Sequence, residues 1–171
     1  IRYWKAKQRI DKQIIVGLHI SYRAATNDTA LKLEKWILEK CLGRQVSKCR
    51  FHYLKFALPY GYDRLEQFGF TDDYSMAYSD MAGYRAGTSR SFTFYNIEKE
   101  KETKLTIHPL IVMDKTLRLD MKLDVESAYK YIDSLKKECN AIGGDFTTLF
   151  HNQNVTDLNG WGEWGERFFK K

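Results

Sequence analysis

The sequence predicts an α/β domain: a mainly parallel sheet or barrel wrapped by helices. Three observations carry that prediction. Short apolar runs alternate along the chain with longer segments of helical period. The helical segments begin at Asn, Asp or Pro and stop at Gly, the residues that cap helices. The length, 171 residues, allows one domain with a real core rather than two. A single domain over residues 1–171 is therefore expected.

The elements follow in order. Tyr3 to Lys12 reads as the end of a helix, because Trp4, Ala6 and Ile10 share a face among Lys and Arg. Ile14 to Leu18 reads as a buried strand ending at His19. Asn27-Asp28-Thr29 offers an N-cap to a helix with apolar Leu31, Trp36, Ile37 and Leu38, and Gly43 stops it. Lys48 to Leu54 reads as a strand carrying Arg50 and His52. Pro59 opens a short helix with Leu65 and Phe68 inward and Gly69 as its stop. Asp72 to Met76 supplies the next strand end, and Tyr78 to Ser91, rich in Gly, Ser and Ala, is a loop. Phe92 to Ile97 and Lys104 to Met113 read as strands around the run Glu98-Lys99-Glu100-Lys101-Glu102, a solvated hairpin tip. Leu123 to Ile142 is the clearest helix, capped by Asp124, striped by Ala128, Ile132 and Leu135, and ended by Gly143-Gly144. Phe146 to Phe150 is a final strand leading to His151, and Trp161 to Phe169 a closing helix.

Composition narrows the function. The net charge is +6, yet 28 basic residues are interspersed with 22 acidic ones and form no basic stripe. Nucleic acid is therefore not an expected partner. No stretch approaches the roughly 18 apolar residues of a membrane span. Cys41, Cys49 and Cys139 form no CxxC pair and are expected as reduced thiols of a cytoplasmic protein. Aromatic residues make up 15% of the chain; such rings suit a filled core and equally a carbohydrate surface. No GxGxxG, Walker, HExxH or GxSxG element occurs, which disfavours dinucleotide chemistry and serine hydrolysis.

Chemistry in parallel α/β folds gathers beyond the carboxyl ends of the strands. His19, His52 and His151 all fall near such ends. Neutral imidazole binds zinc and related metals, and a histidine near its ordinary pKa moves protons. Asp72, Asp73 and Asp114 are the carboxylates near these ends, and one buried beside a histidine would orient its ring. Arg50 shares a strand face with His52 and suits a carboxylate or a sugar oxygen. Arg85 sits among loop glycines that permit close backbone approach. His108, in an apolar run before Pro109, is expected to be structural.

The ordered set Val16-Gly17-Leu18-His19-Ile20-Ser21-Tyr22, Arg50-Phe51-His52-Tyr53-Leu54-Lys55, Asp73-Tyr74-Ser75-Met76-Ala77-Tyr78, Tyr84-Arg85-Ala86-Gly87-Thr88 and Leu149-Phe150-His151-Asn152 resembles polysaccharide deacetylases. The likeness is to a divergent bacterial branch of the nodulation-type deacetylase homology class, and it runs from about Ile15 to Asn152. It implies a distorted or partial (β/α) barrel and metal-dependent hydrolysis of acetyl groups on a sugar polymer. A divalent metal, usually zinc, would polarise the acetyl carbonyl and activate water. By that resemblance His19 is a metal ligand and Arg50 orients the catalytic aspartate. Asp73 falls near the fourth motif, and His151, in Leu149-Phe150-His151, is the general acid. Tyr53, Tyr84 and Arg85 are expected at the substrate.

Two departures stand out. Four residues after His19 the family offers a second histidine, and this chain has Arg23; either His52 or Asn27 replaces it or metal binding is weaker. The opening Asp-x-Asp motif has no counterpart before His19; the chain is a degenerate relative or, as expected here, an incomplete and by itself inactive portion of a longer parent that supplies base and ligand upstream. The alternative from another class is a non-catalytic carbohydrate-binding module using Tyr53, Tyr74, Tyr78, Tyr84 and Trp161 as platforms.

Overall fold

The computed structural model describes residues 14–156 and 160–169. The helix expected over Tyr3 to Lys12 lies outside the described residues. The chain is mixed α/β and divides into two compact units, residues 1–75 with 92–107 and residues 76–91 with 108–171.

The first unit is built on a five-stranded sheet in the order β1-β2-β3-β5-β4. Its strands are β1 (Leu18–Ile20), β2 (Lys48–Phe51), β3 (Asp72–Asp73), β4 (Phe92–Asn96) and β5 (Lys101–Ile107). The first three and β5 run parallel, while β4 pairs antiparallel with β5 as an edge. Helices α1 (Asp28–Leu42) and α2 (Tyr60–Gln67) make the crossovers, as parallel pairing requires.

Helix α1 starts and stops where its caps dictate. The Asn27 side chain accepts from the Ala30 N–H, and Gly43 closes the helix at φ 68°, a left-handed conformation that glycine adopts without a Cβ penalty. Its apolar face is narrower than the sequence suggests. Leu31 is buried, whereas Trp36 and Ile37 are exposed. At about 100° per residue those two lie roughly 140° and 240° around the helix from Leu31, off the inward face. Helix α2 begins after Pro59 and buries Gly61, Tyr62 and Leu65. The fully enclosed Tyr62, Phe51, Phe70, Ile20, Leu105 and Ile107 form much of this unit's core.

Several strand assignments shift; the one over Lys48 to Leu54 ends at Phe51 and that over Phe146 to Phe150 shrinks to Thr148–Leu149. The first strand is Leu18–Ile20, with Ile14 and Ile15 exposed. Register explains it: Ile20 pairs with Phe51 and both are buried, so His19 lies within the strand, opposite Arg50. The expected strand over Lys104 to Met113 is broken after Ile107 by His108-Pro109, where proline removes a ladder donor. The charged run does form a tip, its turn at residues 97–100 with Lys101 and Glu102 already in β5.

The second unit pairs β6 (Val112–Met113) with β7 (Thr148–Leu149) in parallel. Around them lie a π-helical turn (Thr116–Asp120), α3 (Val125–Ala141) and α4 (Gly162–Phe169). Asp124 caps α3 by accepting from the Ser127 N–H. The inward stripe of α3, Ala128, Ile132, Leu135 and Cys139, packs with Leu117, Trp161 and Trp164. Residues 76–91 contain no regular element, as expected of that loop.

The described residues form no closed barrel: the larger sheet ends at β1 on one edge and β4 on the other. No described helix is long and apolar enough to cross a membrane.

Candidate functional site

In the first unit, the end of β2 turns sharply. His52–Leu54 is a 310 turn in which Tyr53 and Leu54 hold φ 56° and 51°. That left-handed conformation costs a non-glycine residue energy and is concentrated at functional sites. The turn presents the His52 ring to that of His19, centroids 4.8 Å apart at 78°. Both residues are exposed. Neighbouring strands in register bring them together: His19 pairs with Arg50, and His52 follows two residues later. Tyr53 stacks on His52 at 4.3 Å, and Tyr22 meets Tyr53 edge-on at 6.3 Å.

Arg50 is half-buried and lines a cavity of about 270 Å³ with His19, Lys48 and Tyr74. Lys48 bonds Asp72 at 3.0 Å, and that hydrogen bond holds its ammonium above the usual lysine range. Asp73 is fully buried. Its Oδ2 accepts from the Tyr62 hydroxyl at 3.0 Å and the Ser75 N–H at 2.9 Å, and its Oδ1 from the Ser75 hydroxyl at 2.6 Å. Ser75 Oγ in turn accepts from the Phe51 N–H at 2.9 Å. These bonds tie the ends of β2 and β3 together. Burial, followed by the charges of Asp73 and Asp72, pushes the Cys49 thiol well up, which keeps it protonated and unreactive.

In the second unit, a buried carboxylate holds an imidazole. Asp114, following β6, has a side chain only 1% exposed, while that of His151, following β7, is 33% exposed. His151 Nδ1 lies 2.7 Å from Asp114 Oδ1, and the His151 N–H donates to Oδ2 at 2.8 Å. The Lys115 N–H and Asn154 Nδ2 donate to the same carboxylate at 2.7 and 2.9 Å. With its backbone and ring both bound to one carboxylate, His151 is fixed in orientation and tautomer. Nδ1 serves the carboxylate, leaving Nε2 as the nitrogen for proton exchange. Asp114 was among the sequence candidates for such a partner. Asn154 was not, since an Asn in a polar tail carries no distinguishing pattern.

The remaining candidates are anchored. The Tyr84 hydroxyl donates to the Leu135 carbonyl at 2.9 Å and lies 3.4 Å from Cys139 Sγ; its ring packs on the α3 core. Burial, then the Cys139 contact, raises its phenol far above the usual range. Arg85 is exposed and donates to the Ala77 carbonyl at 2.9 Å. Trp161 is buried beneath the Arg118 guanidinium. His108 Nδ1 pairs with Ser91 Oγ at 2.9 Å.

His19 and His52 supply two imidazole donors of the kind that zinc takes, against the three or four protein ligands of a usual site. Among the described residues no group of three His, Cys, Asp or Glu side chains is placed to hold a metal ion. No protein-family model, curated protein or solved structure matches the chain.

Proposed function

We propose that this chain belongs to a sugar-polymer deacetylase of the distorted-barrel type, a metal-dependent hydrolase. The single observation that carries the reading is the Asp114–His151 pair, at the residue that the family likeness makes the general acid. A buried carboxylate on Nδ1 fixes the ring's tautomer and orientation and leaves Nε2 to deliver a proton to a departing amine. The stretch from His19 to Lys55 supports the reading separately, since His52 brings a second imidazole to within ring contact of His19. A metal there would polarise the acetyl carbonyl and activate water. No step is derived through it, because two donors do not complete a site. Arg50 stands beside His19 in register, the place from which a guanidinium can steer a catalytic carboxylate. A cytoplasmic location belongs to the same proposal and rests on three unpaired cysteines.

The test is acetate release from acetylated chitooligosaccharides by the natural full-length protein with added zinc. His151→Gln should lower the rate by about 10²- to 10⁴-fold. Its stability should fall by about 1 kcal/mol, since the backbone N–H bond to Asp114 remains and only the ring's bond is lost, so the rate is compared on folded protein. An unaltered rate would remove His151 from the chemistry.

A second reading, glycan binding without hydrolysis, is favoured by the exposure of Tyr22 and Tyr53, 55% and 68%. It predicts glycan affinity that survives chelation and no acetate release.

A further inference from the structure

Beyond the end of β2 the first unit displays rings that a stable core does not need. Tyr22 and Tyr53 are more than half exposed, and with His52 they make one continuous set of ring contacts. Lys55 places its ammonium 3.4 Å from the centre of the Tyr22 ring, a contact that restrains a long side chain at the surface. Lys55 also borders a cavity of about 430 Å³ whose lining includes Phe56, Tyr60 and Arg64 and no acidic side chain. Arg64 itself is bound to Asp28. The backbone at Tyr53 holds a positive φ, a conformation that costs a non-glycine residue energy and is enriched at ligand sites.

We propose that Tyr22, Tyr53 and Lys55 form a subsite for an acidic oligosaccharide. The Tyr53 ring is the stacking platform and the Lys55 ammonium faces the sugar carboxylate. The inference deepens the deacetylase reading and rests on it only for the class of polymer. A sugar ring offers axial C–H groups to an aromatic face, and tyrosine provides that face at small entropic cost. The cation then selects uronate-bearing chains over neutral ones of the same length.

Calorimetric titration of the full chain with a hyaluronan hexasaccharide and with chitohexaose, both with chelator present, tests this. The acidic oligosaccharide should bind more tightly, and Lys55→Gln should erase the preference, about fivefold. Tyr53→Gly should weaken both ligands about tenfold, while its melting temperature holds or rises, because glycine relieves the positive φ. A merely structural tyrosine would instead lower the melting temperature and leave affinity alone. Equal affinity for the two ligands, binding of neither, or unchanged affinity in Tyr53→Gly would overturn the subsite. Preferential acidic binding with no acetate release by the full-length protein would retain the subsite and remove the deacetylase reading. Acetate release unaffected by Tyr53→Gly would do the reverse.

Discussion

The two histidine sites are built on opposite principles. In the second unit one imidazole is fixed by a buried carboxylate that accepts four hydrogen bonds. In the first unit two imidazoles face each other in the open, set there by strand register and a strained turn. The first fixes ring orientation and tautomer through one carboxylate. The second lies at the surface, with both rings exposed. Preorganisation within one chain is thus local: one imidazole is bound to a buried carboxylate, while two others meet ring to ring at the surface.

The sharpest way to break this contrast is Asp114→Ala. It strands the Lys115 N–H, the His151 N–H and the Asn154 amide, and should cost roughly 2–4 kcal/mol in urea unfolding. It should also abolish the exchange-protected imidazole N–H signal of His151 in the proton NMR spectrum. A variant as stable as the parent would mean that the carboxylate is not the organising group. By contrast, His52→Ala removes an exposed ring and should change stability by less than about 0.5 kcal/mol. Its readout is zinc affinity: a loss of tenfold or more is expected if the pair is half a metal site, and equal affinity would make the pair a simple ring contact.

The smallest effect concerns acid. Asp63 is partly desolvated, which opposes ionisation. The Lys99 ammonium at 2.8 Å and Asn96 Nδ2 at 2.6 Å outweigh that and hold its carboxyl below the usual range. A depressed pKa stabilises the fold above the ordinary carboxylate value and loses that contribution as pH falls through the folded-state value. Asp63→Asn should therefore flatten the fall of stability below about pH 4, by no more than about 1 kcal/mol given the exposure of Lys99. An unchanged acid limb would show that the hairpin tie does not contribute.

What the sequence showed and what it hid divide along the same physical line. Caps are local, so Asn27, Gly43, Asp124 and the alternating charges of the hairpin tip were legible. Barrel closure depends on pairing between distant strands, and several strands here are only two residues long. Such strands carry no period to read. The break at His108-Pro109 was visible in principle and was masked by the apolar residues on both sides. At the sites, His151 and Asp114 were legible as residue types near strand ends. Their bond was not, because it joins positions 37 residues apart. Tyr22 carries no local signal beyond its place in the first motif, since its exposure depends on how the chain turns after β1.

The route of the chain through its two units has a consequence for dissection. The backbone crosses from one unit to the other after Ser75, returns at Phe92, and leaves again after Ile107. Strand β5, which lies between β3 and β4, arrives only on the second visit. A single cut at residue 75 would therefore free a polypeptide whose sheet has lost its last two strands, and a cut at 107 would deprive the other unit of residues 76–91. Neither unit can be passed on, duplicated or expressed as one uninterrupted stretch of gene, so the pair is inherited together.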